Sequence, residues 1–187
     1  ADSRAKSLGT VFAAQWLGFD DLGKRIRLDP IDNPWCTDTL MAAMRAESAL
    51  FFLSLLRENQ PLSRMLDADY TYMNEELGDY YDRDVPGDGM RRVALNTERR
   101  GGILGHASVL AITSFPDRTS PVARGKWILE SLLGTPPPPP PPDAGDLEEA
   151  EERFGEMTLR EQLAAHRRSP RCAGCHQEMD PLGLSLE

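Results

Sequence analysis

Cysteine, histidine and aromatic residues are scarce in this 187-residue chain: three Cys, three His, and 7% Phe, Trp and Tyr. Basic residues are outnumbered, 21 Lys and Arg against 30 Asp and Glu, for a net charge of −9. That balance speaks against nucleic acid, whose phosphates demand a basic surface. It suits a partner protein with a basic docking surface. No apolar run approaches the roughly 20 residues of a membrane-spanning helix, so no span is expected. The chain opens Ala1-Asp2-Ser3-Arg4, with neither an initiator Met nor an apolar leader. Gly-x-Ser-x-Gly, a phosphate-binding loop and His-Glu-x-x-His are all missing, which removes the common hydrolase, nucleotide and zinc-protease signatures. What remains is a chain with 40% hydrophobic residues, enough for a real core rather than wholesale disorder.

Two of the three cysteines stand together in Cys172-Ala173-Gly174-Cys175-His176. Cys-x-x-Cys-His is the attachment signature of c-type haem. The two thiols add across the vinyl groups of one porphyrin, and the histidine that follows becomes the proximal iron ligand. A structural zinc site wants four ligands, yet outside the motif only Cys36, His106 and His166 are left. A thioredoxin-type dithiol wants a preceding strand, whereas the run before Cys172 reads as a helix. The expectation is therefore one covalent haem c on Cys172 and Cys175, with His176 on the iron. Leu159, Leu163 and His166 share one helix face, which makes His166 the first candidate for the distal ligand and His106 the second. Met179 follows His176 too closely to reach the opposite side. Cys36, beside Trp35, reads as a small buried hydrophobe.

In chain order, residues 3–18 read as a helix, then come turns at Asp29-Pro30 and Asn33-Pro34. Thr37 or Asp38 caps a long helix that ends at Asn59 before Pro61, with Met41, Met44, Ser48, Phe51 and Leu55 on one face. Residues 61–66 make a helical turn, 71–81 a helix, 82–89 an acidic loop, and 90–95 a short isolated strand. Ile103 to Thr113 reads as an apolar helix that buries His106. Ser120 caps a further helix with Pro121 at its first position, ending at Gly134. Pro136 to Pro142 predicts a polyproline II rod, and 143–156 is an acidic stretch. Thr158 and Glu161 have the spacing of a capping box for the helix that carries His166.

Three blocks together resemble a known family. They are Arg99-Arg100-Gly101-Gly102-Ile103-Leu104, then Arg118 to Trp127 running into the prolines, and His166-Arg167 with Cys172 to His176 and Met179-Asp180-Pro181-Leu182-Gly183. Gln15 to Gly18, Glu47-Ser48 with Phe51-Phe52, and Asp67 to Thr71 fit the helical domain that precedes the cytochrome segment there. The combination is similar to the planctomycete-type cytochrome c domain proteins, large exported bacterial proteins of mostly unassigned role. Members usually start earlier and continue past the Met-Asp-Pro-Leu-Gly motif into an aromatic segment. The resemblance implies c-type haem and an exported location, and the chain then reads as a piece of something longer.

The expected architecture is mainly α: a helical domain over 1–134, a polyproline and acidic linker over 135–156, and a small c-type haem-binding segment over 157–187. The expected function is that of a periplasmic or extracellular monohaem cytochrome passing electrons to a redox partner within a larger assembly. A peroxidase-type haem enzyme, or a structural subunit with haem as a staple, are the alternatives. Arg91, Arg92, Arg99, Arg100, Arg118 and Arg124 read mostly as surface ion-pair partners, one or two of them available to haem propionates.

Overall fold

A computed structural model describes residues 2–27, 31, 33–95, 101–116, 118–140 and 157–187. The turn expected at Asp29-Pro30, the Arg99-Arg100 pair, Pro141, Pro142 and the acidic stretch 143–156 lie outside the described residues. The fold is mainly helical, and the described residues include one two-stranded sheet. The chain divides into two compact units, Ala1–Arg118 and Thr119–Glu187.

The first unit is built on helix α1 (Asp38–Arg57). Thr37 is extended, and its Oγ1 accepts the Leu40 N–H at 3.0 Å, which satisfies one of the orphan donors of the first turn. The chain leaves the helix at Asn59, whose φ is +49°. Met41, Met44, Ser48, Phe51 and Leu55 are all buried, the face that their spacing predicts. By length and composition α1 could cross a membrane, a feature that counting uninterrupted apolar runs overlooks. Its apolar window is 67% buried within the fold, as in a core helix. The N-terminal helical turns lie against it at Gly9, where a Cβ would stand 2.5 Å from the Ala49 carbonyl oxygen.

The sheet corrects two expectations. The helix expected over 71–81 does not start at Thr71, because Tyr70–Met73 form strand β1, and the strand expected over 90–95 is not isolated. It is β2 (Arg91–Ala94), antiparallel to β1 in the register Tyr70↔Ala94 to Met73↔Arg91. Tyr-Thr-Tyr favours an extended, half-buried surface once a partner strand exists. The helix begins only after Asn74, whose Oδ1 accepts the Leu77 N–H at 3.1 Å, and runs as α2 (Glu75–Tyr80). The helix expected from Ile103 is also divided. A 3-10 turn (Ile103–Gly105) precedes α3 (Ala107–Ile112), with His106 as the extended N-cap residue between them.

The second unit opens with α4 (Pro121–Trp127), which continues as π-helix over Ile128–Leu132. Ser120 Oγ accepts the Ala123 N–H at 3.2 Å, and Pro121 occupies the first turn. Pro136 to Pro140 have neither helix nor strand. Helix α5 (Leu159–His166) starts at the expected capping box, with the Thr158 N–H donating to Glu161 Oε2 at 2.9 Å. Ser169-Pro170 then turns the chain into α6 (Pro170–Leu184). Residues 121–133 thus group with the motif-bearing helix, ahead of the prolines, because α4 and α6 touch backbone to backbone. A Cβ on Gly183 would stand 1.7 Å from the Pro121 carbonyl oxygen, and one on Gly125 1.9 Å from that of Met179.

Gly183→Ala or Gly125→Ala should therefore force the helices apart and cost the second unit about 1–3 kcal/mol or more. Gly174→Ala, in the same helix with nothing near its Cβ position, should be neutral or stabilising by up to about 1 kcal/mol. Thermal unfolding of the three variants checks this. Equal melting of Gly183→Ala and Gly174→Ala would show that the contact is not tight.

Candidate functional site

The motif occupies the first two turns of α6. Cys172 and Cys175 are free thiols, both half-buried. His176 follows, its side chain 19% exposed, and its Nδ1–H donates to Asp180 Oδ1 at 2.8 Å. Positions 176 and 180 are one helical turn apart, which brings the two side chains together on one face. Asp180 is fully buried, and its Oδ2 accepts from Arg167 Nη1 at 3.2 Å. One carboxylate therefore ties the turn after α5 to the middle of α6. Its charge is compensated inside the unit, as a buried carboxylate requires.

His166 closes the cluster from α5. Its ring lies edge-on to that of His176, with centroids 4.6 Å apart and planes at 66°. Burial first, and then the neighbouring His176, hold the pKa of His166 below its ordinary value, while Asp180 opposes them. Leu163, one turn before His166, is buried, whereas Leu159 is exposed, so only the His166 end of the expected apolar face is covered.

His106 belongs to the first unit and to a different network. Its Nδ1 lies 2.9 Å from Ser48 Oγ and its Nε2 3.4 Å from Thr71 Oγ1, while its ring packs against Phe51 at 4.8 Å. Thr71 Oγ1 donates to Glu47 Oε1 at 2.7 Å, and Tyr81 OH donates to Glu47 Oε2 at 2.8 Å. This is a satisfied core histidine beside a satisfied buried carboxylate. Cys36 is half-buried, and burial, then Asp38, push its thiol pKa up.

Residues 1–82 match the family model PSD4, and residues 100–187 match PSCyt3; both are described as proteins of unknown function (DUF1592 and DUF1588). Two segments of unassigned function meet in this chain. Both are typical of planctomycete cytochrome c-domain proteins, which agrees with the sequence resemblance at that level. No curated protein and no solved structure matches.

Within residues 100–187 the cofactor expectation needs correction. One covalent haem c on Cys172 and Cys175, with its iron on His176, is not what the side chains build. Among the described residues, no group of three or more His, Cys, Asp and Glu is arranged to hold a metal ion. The geometry gives the reason. Two imidazoles on opposite sides of one metal need about 4 Å between their nitrogens alone, and more between ring centres. His166 and His176 pack directly on each other instead, and Asp180 holds the second ring.

Asp180 and Arg167 are the residues that reading for ligands missed. The i, i+4 spacing of His176 and Asp180 was the available signal. Glu47 was missed as well, although a glutamate within the apolar face of a core helix calls for buried partners.

The His166 midpoint should lie below the ordinary 6.5 in a proton NMR titration. Because the fold disfavours protonated His166, the unfolded chain binds more protons. The stability linked to it is complete above about 6.5 and lost as pH falls through the depressed folded pKa. A midpoint at or above the ordinary value would contradict this. Asp180→Ala removes the partner of both His176 and Arg167 and should destabilise the second unit by about 3 kcal/mol, read by chemical denaturation.

Proposed function

We propose that the second unit passes electrons in pairs, as a thiol–disulfide exchange module of an exported, multi-component assembly. Cys172 and Cys175 are the exchanging dithiol, and a redox partner protein supplies the disulfide. The observation that carries the reading is that two free, half-buried thiols stand three residues apart at the start of α6. Helix geometry puts their α-carbons about 5 Å apart, inside the range of about 4.4–6.8 Å that a disulfide spans. Oxidation takes two electrons and two protons from the pair, and both pass to the partner's disulfide. No strand leads into the motif, so the likeness to thioredoxin-type proteins is one of chemistry alone. An exported location fits such a pair, because disulfides persist in oxidising compartments. The resemblance of the sequence motifs to a family of exported proteins supports the same location.

Equilibration in a glutathione buffer poised at about −180 mV tests the reading. The protein should lose the mass of two hydrogens, and alkylation should fall from Cys36, Cys172 and Cys175 to Cys36 alone. Persistent alkylation of Cys172 and Cys175 under this poise would overturn it.

A further inference from the structure

We propose that an aromatic face on the first unit docks the polyproline segment of a second copy of this chain. The N-terminal helical turns leave Leu8, Val11, Phe12 and Trp16 exposed, and Leu56 is exposed near the end of α1. Three rings give this face its shape. Phe12 and Trp16 are 55% and 38% exposed, while Phe52 of α1 is 8% exposed. Their centroids lie 5.8 Å (Phe12–Trp16), 6.3 Å (Phe12–Phe52) and 6.1 Å (Trp16–Phe52) apart. Phe12 and Trp16 therefore stand up from a floor made by Phe52. Helix rise separates Leu8 from Trp16 by at most about 12 Å, the length of about four prolines in polyproline II conformation.

Charge selects the occupant. Residues 3–19 and 48–57, which build this face, contain no Asp or Glu. Lys6, two residues before Leu8, and Arg57, directly after Leu56, are exposed, and neither is ion-paired among the described residues. Arg4, by contrast, is held by Asp2, and Glu58 by Arg92. The proline run carries the complement. Pro136 and Pro138 to Pro140 are exposed, and residues 143–156 that follow hold seven Asp and Glu against one Arg. Proline rings pack on aromatic faces, and a rod already fixed in φ gives up little conformational freedom on docking. Acids next to the rod then meet the basic residues beside the rings, where opposite charges fix the register. One chain displays both halves of the pair, so the partner that the face fits is another copy of itself.

Sedimentation of the intact chain tests this, with the thiols kept reduced so that no disulfide links the copies. Association should appear between about 10 µM and 1 mM. It should weaken severalfold from about 50 mM to about 1 M salt, where the screening length falls to about 3 Å. Phe12→Gln removes one wall of the face, and replacing Pro136 to Pro142 by alternating Gly and Ser removes the rod. Each change alone should weaken association about tenfold or more. Mixed in equal amounts, the two variants should associate with each other, because one keeps the rod and the other keeps the face. The rod replacement leaves the face untouched, so that comparison stands even if circular dichroism shows that Phe12→Gln does not fold. A chain that sediments as a monomer at every concentration would overturn the proposal, whether its face is empty or holds its own rod. Association that survives rod replacement would overturn it too, as would folded variants that stay apart when mixed.

Discussion

The second unit depends on two helices touching where side chains are missing. At Gly125 and Gly183 the backbones of α4 and α6 come so close that a methyl group at either place would overlap a carbonyl oxygen. Interhelical distance is normally set by the side chains at the contact; here it is set by their absence. The contact fixes where α6 lies, and so where its first turns and their two thiols stand. It also gives Pro181 a place inside the helix, since packing against α4 supports a segment that propensity alone would weaken.

Burying a carboxylate is the second recurring constraint, and each unit meets it in its own way. Asp180 shares its two oxygens between Arg167 and His176. Glu47 shares its pair between the hydroxyls of Thr71 and Tyr81. In both cases the group joins segments that are separate in sequence: α5 to α6, and α1 to β1 and the residue after α2. A buried acid satisfied on both oxygens specifies an arrangement more than it adds stability, because desolvation offsets much of the attraction. The histidines beside the two acids differ accordingly. His106 is enclosed in the core, whereas His176 stands at the edge of a half-open cluster.

Net charge and local charge point in opposite directions in this protein. A charge of −9 over the whole chain suggests a basic partner, while the turn between α5 and α6 is basic. Screening decides between them, because charges beyond about 10 Å contribute little at moderate salt.

Local interactions were legible in the sequence. Thr37, Ser120 and the Thr158/Glu161 box cap the helices where the residues indicated, because a cap is decided within four residues of itself. The buried face of α1 followed from its periodicity, and the Cys-x-x-Cys spacing was plain. The chain could not show by itself that Tyr70 to Met73 would pair with a strand some twenty residues on; nor could it show that glycines at 125 and 183 would meet, or that His166 would pack on His176 rather than stand apart from it. The spacing of Cys172, Cys175 and His176 is a property of the sequence. What the two histidines face is decided by tertiary packing, because a side chain's partner across a helix hairpin depends on where the next helix is held.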